Sequence, residues 1–359
     1  MRIDDKGVSG LPLRTLYCTT PGLKLGLRSG HLVIRMPDCD KPQKYSLFAT
    51  RQLVISEGVI ITTPVIQACL DLDIPVTFID RTGDLQGHLL PKRNAVPRLR
   101  IAQVQAYLDP QIRLETARKI VNAKIHNTQF VLRKFRKNYN FPELRETDRL
   151  LAAALQRTAQ AQTAEELLGI EGAAARAWFG TFGLLIRPQE FHFPGRRRRP
   201  PTDPINSMLS LGYTLLTREC AALAEAWGMD SYIGFYHSVD ERRPSLALDL
   251  IECLRTPAVD LLVTRIVNRR QIRPEHFQTP EGAEAVYLTR EGRKLFYGLY
   301  ENHLENLETE MVDLEDDWAP RDVVNQICQD LRNAFKNGTI RRWEPRRLGV
   351  PYPQSDKEQ

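Results

Sequence analysis

The sequence predicts an α+β protein of more than one domain, in which a small β-rich N-terminal domain precedes a larger all-α domain. Three observations predict this fold class. Short alternating segments separated by turn residues fill the first ninety of the 359 residues. Two prolines and two basic residues at 91–97 (Pro-Lys-Arg-Asn-Ala-Val-Pro) are typical of a linker. Beyond the linker, apolar residues recur at intervals of three and four, as they do in amphipathic helices.

The predicted N-terminal domain, residues 1–90, contains a hairpin pattern. Residues 23–28 and 31–35 alternate in polarity on either side of Ser29-Gly30, which is a turn dipeptide. Further elements are predicted as strands at 52–56, 59–62 and 74–80, a short helix at 65–71 and a last strand that ends near residue 90. This domain therefore has the composition of a sheet-forming unit.

The predicted helical domain occupies residues 98–345. Its periodicity fits helices at 148–159, 165–185, 204–227, 244–268, 291–307 and 320–337. Residues 346–359 are predicted to form a flexible tail, because the sequence from Gly349 onward is rich in proline and polar residues.

The composition limits the class of protein. Apolar residues make up 42% and charged residues 26%, which excludes a wholly disordered or low-complexity chain. The sequence has no run of 18 uncharged apolar residues and no apolar segment after the first methionine, so we expect a cytoplasmic protein without a membrane partner. The six cysteines show no CxxC pair, which favours reduced core thiols. The net charge of +6 is compatible with a polyanionic partner.

One histidine and two acids form the first candidate site. His237 precedes Asp249 and Glu252 by twelve and fifteen residues, and the two acids lie three residues apart in an otherwise apolar helix. Charge in such low-dielectric surroundings is costly unless a cation compensates it, and a divalent metal is the simplest compensation. Alternatively, both acids face water or pair with neighbouring arginines, and this segment alone favours that alternative.

A glutamate among small residues forms the second candidate. Glu171 lies between Gly169 and Gly172 and is followed by three alanines. Small residues allow other backbone or nucleic acid to approach closely, so this carboxylate could point into a packed site. Alternatively, Glu171 is an acid that interacts favourably with the N-terminal dipole of the following helix, which the segment alone favours.

Two basic segments are candidates for binding phosphate. Arg196, Arg197, Arg198 and Arg199 lie in a Pro/Gly loop, where four consecutive guanidinium groups cannot all pair internally. These arginines either bind phosphates or form a solvated loop, and the run of four arginines alone does not distinguish the two interpretations. A second stretch at 133–139 interleaves basic and aromatic residues, and a solvated helix end is the favoured interpretation there.

Taken together, these segments resemble one family, the CRISPR-associated integrase that inserts new spacers into a CRISPR array. The resemblance is carried, in the family's order, by residues 74–80, 123–127, 169–179, 199–213, 237 and 243–260. It includes the strings Gly-Ile-Glu-Gly, Arg-Pro-Pro-Thr-Asp-Pro-Ile-Asn and Arg-Pro-Ser-Leu-Ala-Leu-Asp-Leu-Ile-Glu, and it covers residues 15–337. The family's β-rich domain and helical catalytic domain agree with the fold class predicted above.

The resemblance implies a catalytic metal site made of Glu171, His237 and Glu252, with Asp249 as a candidate accessory acid. Two carboxylates and one imidazole suit Mg²⁺ or Mn²⁺, although zinc would also accept these ligands. In the family, the 3′-hydroxyl of a short DNA fragment attacks a phosphodiester of the repeat. Attack by water at the same site would cleave DNA.

The resemblance also implies how DNA and proteins are bound. The arginines expected to hold phosphates are Arg196, Arg197, Arg198, Arg199, Arg242, Arg243 and Arg255. Tyr213 is expected beside the site, where core packing is its favoured role. The implied partners are DNA (a protospacer fragment and the CRISPR repeat), a second copy of the chain bound through the β domain, and a small companion subunit with a ferredoxin-like fold.

Two other functions compete with an integrase. A plain metal-dependent endonuclease would use the same ligands, and the sequence does not separate it from an integrase. A non-catalytic DNA-binding scaffold would use the acids only to cap helices. The scaffold is disfavoured because three metal-type ligands occur in the family's order.

Overall fold

The computed structural model describes residues 14–37, 39, 41–80, 85–89, 96–241, 243–305 and 320–350. These residues form two compact units. The first consists of the chain up to Pro97 together with Glu225–Met229, and the second consists of the remainder from Arg98 onward. The first unit contains two β-sheets and the second is mainly helical, which confirms the predicted fold class.

The described part of the first unit has eight strands and one helix, with the bounds β1 Arg14–Cys18, β2 Lys24–Arg28, β3 His31–Arg35, β4 Gln43–Ser46, β5 Thr50–Ser56, β6 Ile60–Ile61, α1 Thr63–Asp71, β7 Val76–Ile79 and β8 Leu85–Leu89. One sheet has the order β1-β5-β7-β8 and is parallel except for the β7–β8 pair. The other has the order β4-β3-β2-β6 and is antiparallel except for the β2–β6 pair. The sequence patterns did not predict β1 and β4.

The predicted hairpin is confirmed by the pairing of β2 with β3. Ser29 and Gly30 both have positive φ, 50° and 73°, which is the backbone of a two-residue turn that matches the twist of paired strands. Apolar side chains of the two sheets and α1 meet in one core, in which Leu25, Leu53 and Val65 have no exposed surface. This core accounts for the alternating pattern, because one face of each strand is buried.

The helices of the second unit are α2 Pro97–Leu108, α3 Pro110–Asn138, α4 Pro142–Gln160, α5 Ala164–Phe182, α6 Pro204–Ala226, α7 Ser245–Glu252, α8 Leu261–Asn268, α9 Arg290–Glu305 and α10 Pro320–Lys336. The first residue of α2 and the last two of α6 are assigned to the first unit. A short antiparallel ribbon, β9 Phe277–Gln278 with β10 Tyr287–Leu288, is an addition to the predicted all-α architecture. The predicted linker therefore ends inside α2, and residues 91–95 lie outside the described residues.

The longest described helix, α3, is the scaffold of the second unit. Asp109 caps it, since its carboxylate accepts the N–H groups of Gln111 and Ile112 at 2.9 and 3.0 Å, and Pro110 occupies the first helical position. The helix packs against α4, α5 and α7. One helix thus connects the segments that carry the two predicted acidic positions.

The single helix predicted at 244–268 is wrong. Helix α7 ends at Glu252, a π-helical turn follows at Arg255–Asp260, and α8 begins at Leu261. Pro257 lies in the interrupted stretch, and proline removes a backbone donor and crowds the preceding turn of a regular helix. Glu252 therefore lies at a helix end beside an irregular segment, a type of segment that is frequent at functional sites.

Only residues 346–350 of the predicted tail are among the described residues. Leu348 is buried, and its backbone N–H donates to Asn127 Oδ1 on α3 at 2.8 Å. The Asn127 amide group also donates to the backbone carbonyls of Cys253 and Arg346 at 2.7 and 3.0 Å. The segment that opens the predicted tail is therefore packed against α3.

Candidate active site

The structure brings Glu171, His237 and Glu252 together, although they come from three separate segments. Lys124 of α3 lies between the two glutamates, because its ammonium group contacts the Glu171 carboxylate and lies 2.6 Å from Glu252 Oε2. The Nε2 atom of His237 lies 3.5 Å from Glu252 Oε1. The three predicted side chains and one additional lysine therefore form a single cluster.

Asp249 positions the histidine. Its carboxylate is 1% exposed and accepts the backbone N–H groups of Phe235, Tyr236 and His237 at 2.5, 3.0 and 2.9 Å. It also lies 2.8 Å from His237 Nδ1. Because a carboxylate accepts only, Nδ1 carries the proton and the lone pair of the neutral ring is on Nε2, the atom nearer to Glu252.

The same contacts show how Asp249, the candidate accessory acid, is held. Both of its oxygens accept hydrogen bonds from protein donors, and Oδ1 lies against the His237 ring. Gly234 makes the close approach possible, because a Cβ atom there would lie 2.6 Å from Asp249 Oδ2. The spacing of the two acids on α7 thus places Asp249 beside Nδ1 of His237 and Glu252 on the Nε2 side of the ring.

Glu252 is a buried anion that several cations stabilise. Burial alone would raise its pKa, but Arg255, Lys124 and His237 outweigh burial and lower the pKa to about 2. The Nη2 atom of Arg255 lies 2.9 Å from Glu252 Oε1. The Oε2 atom is buried and has no partner with hydrogen-bond geometry among the described residues, despite the nearby ammonium group. Glu252 is therefore an ionised acid whose Oε2 atom is paired with the Lys124 ammonium group by charge.

Tyr213 packs beside this cluster. Its ring lies between two guanidinium groups, those of Arg196 and Arg255, at 5.4 and 5.2 Å from the ring centroid. Its hydroxyl donates to the buried carboxylate of Asp260, which also accepts the Trp178 indole N–H at 2.8 Å. Burial raises the pKa of both Tyr213 and Asp260. Tyr213, which is half-buried, thus contacts both arginines beside the cluster.

The cluster opens onto a cleft of about 690 Å³. The predicted catalytic residues line this cleft together with the arginines Arg196, Arg198, Arg199, Arg243 and Arg255. Arg197 is exposed but is not among the lining residues, and Arg242 lies outside the described residues. A second cavity of about 860 Å³ shares Glu171, Arg196 and Arg198 with the first. Most of the predicted phosphate-binding residues therefore surround the acidic cluster.

The arginine run is not uniform. Arg196 is paired internally, because its guanidinium group donates to Asn206 Oδ1 at 2.8 Å and to Ser210 Oγ at 3.3 Å. Asn206, fully buried, also donates to the Gly195 carbonyl at 2.8 Å and so fixes the loop. By contrast, the side chains at positions 197–199 are exposed. The loop therefore combines one structural arginine with three that face solvent.

The residues present fit a divalent cation by their chemistry. Two carboxylates and an imidazole nitrogen are a donor set for Mg²⁺ or Mn²⁺, and Glu252 Oε2 is a buried acceptor without a partner of hydrogen-bond geometry among the described residues. Across the described ranges, no three His, Cys, Asp or Glu side chains are already arranged to hold a metal ion. Lys124 occupies the space between the carboxylates, so a metal would have to replace its ammonium group as their counter-ion.

Sequence reasoning missed Lys124 as a site residue. The signal was its place on α3, because Ile120, Val121 and Thr128, which lie three and four residues away, are all buried. A lysine at such spacing lies on a buried helix face, where charge requires a partner. Asp260 was likewise noticed only as part of the resemblance.

Solved structures share this fold. A CAS1 protein from Thermotoga maritima matches with a TM-score of 0.74 and 24% identity, over 90% of this chain and 97% of that chain. A casposase bound to an integration product matches with a TM-score of 0.76 and 24% identity, over 91% of both chains. A chain of a Cas6-RT-Cas1–Cas2 complex matches with a TM-score of 0.76 and 26% identity, over 98% of this chain and 37% of that chain. The fold is thus the one found in CRISPR-associated Cas1 proteins and in a casposase.

Sequence comparison defines the family. The family model described as CRISPR associated protein Cas1 matches residues 16–302. CRISPR-associated endonuclease Cas1 2 of Rhodospirillum rubrum is 36% identical over 292 residues, which cover 79% of this chain and 83% of that protein. CRISPR-associated endonuclease Cas1 3 of Thermus thermophilus is 37% identical over 262 residues, which cover 72% and 73%. The chain belongs to the Cas1 family of CRISPR-associated proteins, and the resemblance seen in its sequence is confirmed.

Among the residues that the structure describes, no helix is both long and apolar enough to cross a bilayer.

Proposed function

We propose that this chain is a metal-dependent DNA integrase, which inserts new spacers into a CRISPR array by attack of a DNA 3′-hydroxyl on a repeat phosphodiester, and which also has DNA endonuclease activity. The observation that carries the proposal is the convergence of Glu171, His237 and Glu252 beside an arginine-lined cleft. Membership in a family whose curated relatives are named endonucleases supports phosphodiester chemistry.

The arginines of the cleft bind the DNA substrate. Arg198, Arg199 and Arg243 are exposed and face it, so they can form charge-assisted hydrogen bonds with phosphate oxygens. Arg255 is held by Glu252 and stacked on Tyr213, which fixes its position at the cleft wall. The cleft therefore offers mobile cations at its rim and a fixed cation next to the reacting centre.

The catalytic cluster supplies the ligands and their orientation. Glu171, Glu252 and Nε2 of His237 would hold Mg²⁺ or Mn²⁺, and Asp249 keeps the imidazole in the tautomer that leaves Nε2 free to coordinate. A divalent ion held there would make the attacking oxygen more nucleophilic and would offset the negative charge on the phosphoryl oxygens in the transition state. Lys124 neutralises the repulsion between the two glutamates when no metal is bound.

The proposed partners follow from the family. We propose that the protein binds a protospacer fragment and the CRISPR repeat, forms a homodimer through its β-rich unit, and assembles with a small ferredoxin-like companion subunit. A solved chain that resembles this one belongs to a complex named for Cas6-RT-Cas1 and Cas2, which supports a companion of the Cas2 type.

A strand-transfer assay tests this function. A labelled DNA fragment with a 3′-hydroxyl, or with a 3′-blocked end, is incubated with Mn²⁺, a companion subunit and a plasmid that carries a CRISPR repeat. We expect label in the plasmid only with the 3′-hydroxyl, and loss of transfer in Glu171→Gln and His237→Ala. Glu146→Gln, which changes an exposed glutamate on α4, is the matched control and keeps transfer.

The competing functions give different results in the same assay. Cleavage that is indifferent to the 3′ end, without label transfer, identifies a plain endonuclease. Reactions that survive both site substitutions identify a chain whose acids have only a structural role. Either result contradicts the proposed integrase.

A further inference from the structure

The second basic stretch of the sequence forms a pocket of its own. A cavity of about 510 Å³ lies where α3 ends and α4 begins, and we call it the corner pocket. Its cationic lining consists of Arg133, Arg136, Lys137 and Arg145. Its other lining residues are Tyr139, Asn140 and Phe141. None of these seven residues lines the active-site cleft.

The corner pocket retains positive charge after its internal pairing is counted. Arg133 Nε donates to Asp148 Oδ1 at 2.9 Å, and Arg136 donates to the other oxygen of the same carboxylate. Two of the four lining cations thus share one carboxylate, so the lining cations outnumber this acid by three charges. The nearby Glu146 is turned toward Arg149, at 3.4 Å, rather than into the pocket.

The pocket is also organised in advance, unlike a solvated helix end. Asp148 is 9% exposed and accepts a hydrogen bond from the Gln129 amide at 2.7 Å. This buried carboxylate therefore anchors the two arginines that bind it. The Tyr139 hydroxyl accepts a hydrogen bond from Arg187 Nε at 2.8 Å, and the Arg187 guanidinium lies 5.1 Å from the ring centroid. Side chains that are already ordered lose less entropy when a ligand binds.

Fixed arginines interleaved with aromatic rings have the chemistry of a nucleic-acid contact. Guanidinium groups bind phosphate oxygens in pairs, and exposed rings such as Phe141 (37% exposed) offer a face to a base or sugar. An acidic peptide would use the cations but not the rings. We propose that the corner pocket is a second DNA-binding site, which holds the phosphate backbone of a DNA segment outside the active-site cleft.

Its placement defines which part of the DNA it holds. Lys137 lies thirteen residues beyond Lys124 on α3, or about 20 Å along the helix axis. Arg133 lies nine residues beyond Lys124, two and a half turns, so the two residues project from opposite sides of α3. A DNA strand needs at least about six nucleotides, at ~3.4 Å each, to cover this distance. The pocket therefore binds a segment distinct from the one that reacts.

The test is DNA binding without metal, measured by fluorescence anisotropy of a labelled 30-base-pair duplex between 50 and 200 mM NaCl. Lys137→Gln with Arg145→Gln removes two exposed cations of the pocket. For each phosphate that the variant no longer binds, we expect affinity at 50 mM salt to fall about tenfold and the salt slope to decrease by ~0.9. Lys294→Gln with Lys336→Gln removes the same charge from α9 and α10 as a matched control.

The outcomes are decisive in both directions. A smaller slope in the pocket pair alone supports the second site. An unchanged salt slope in the variant with Lys137→Gln and Arg145→Gln, or an equal decrease in the control variant, overturns the proposal. An equal fall in the affinity of the pocket variant for poly-glutamate also overturns it, because the pocket would then bind acidic polymers in general. The inference rests on the proposed DNA function, but it is tested by binding without metal. A chain that binds DNA through the pocket and catalyses no transfer would therefore contradict only the proposed integrase.

Discussion

Two buried charge clusters in the helical unit are built from the same kinds of residues but differ in completeness. Arg321 is 1% exposed, and its three nitrogen atoms contact three glutamates. The distances are 2.6 Å from Nε to Glu219, 2.9 Å from Nη2 to Glu301 and 3.1 Å from Nη1 to Glu305. This cation is surrounded by carboxylates that satisfy its donors.

The candidate active site places a lysine, rather than an arginine, between its acids. An ammonium group is a compact point charge on a flexible stem, whereas a guanidinium group fixes its partners through a rigid set of donors. Glu252 keeps a buried oxygen without a hydrogen-bond partner of good geometry, and the cluster opens onto the cleft. A buried ion cluster can thus be a completed support or an exchangeable site, and the opening onto a cleft distinguishes the second.

The largest effect is expected at the exchangeable site. His237→Ala removes a proposed metal ligand, and we expect the rate of strand transfer to fall by about 10²- to 10⁴-fold, the range for removal of a catalytic side chain. DNA affinity should stay within a few-fold, because arginines hold the nucleic acid. Single-turnover rates and anisotropy measure the two quantities, with His31→Ala on β3 as the control. An equal fall in binding and rate would show that His237 acts on DNA binding.

Substitution in the completed cluster, by contrast, should lower the stability of the protein. Arg321→Met leaves three carboxylates without their shared cation, so we expect the free energy of unfolding to fall by about 3–5 kcal/mol. Arg341→Met, which breaks a surface pair with Glu115 at 3.0 Å, is the matched control and should cost less than about 1 kcal/mol. Denaturant unfolding of both variants gives the comparison. Equal destabilisation would show that burial does not distinguish the two arginines.

The two clusters also differ in how far the sequence predicted them. Glu171, His237 and Glu252 were found because each stands out against small or apolar neighbours and together they follow a family order. Their convergence could not be derived from spacing, since each segment alone favoured a structural interpretation. The cluster at Arg321 could not be predicted from the sequence, because its members lie on α6, α9 and α10 and nothing local connects them.

Similar reasons explain what was missed in the fold. Strand β1 pairs in parallel with β5, whose first residue, Thr50, is 36 positions after Arg14, so local turn signals do not indicate it. The helix predicted at 244–268 failed because apolar periodicity continues through the π-helical turn. Local patterns predicted the hairpin and most helices, whereas pairings between distant segments required the structure.

The arginine loop offers a similar contrast, because the internally paired Arg196 is followed by three solvent-exposed arginines. Arg198→Gln with Arg199→Gln removes two exposed cations that line the cleft. We expect DNA affinity at 50 mM salt to fall about tenfold for each phosphate that is no longer bound, with a salt slope lower by up to ~1.8. Arg197→Gln, at an exposed position outside the cleft lining, is the control. An unchanged slope would identify the loop as a solvated linker.

The smallest expected effect tests whether Lys124 is an exchangeable counter-ion. Lys124→Met removes the cation that competes with a metal for Glu171 and Glu252, so we expect Mn²⁺ to bind about tenfold tighter, or ~1.4 kcal/mol. Without metal, the variant should be less stable, because the two carboxylates then repel each other. Added Mn²⁺ should therefore raise the unfolding temperature of the variant more than that of the wild type.

Lys119→Met provides the matched control on the same helix, because Lys119 binds the backbone carbonyls of Arg341 and Trp343 and the Glu344 carboxylate, and not the site glutamates. Isothermal titration with Mn²⁺ and thermal unfolding measure both variants. Unchanged Mn²⁺ binding in Lys124→Met would mean that the ammonium group does not compete with the metal, and weaker binding in this variant alone would mean that it supports the metal site. Lys124 would then belong with Arg321, as the fixed centre of a completed cluster.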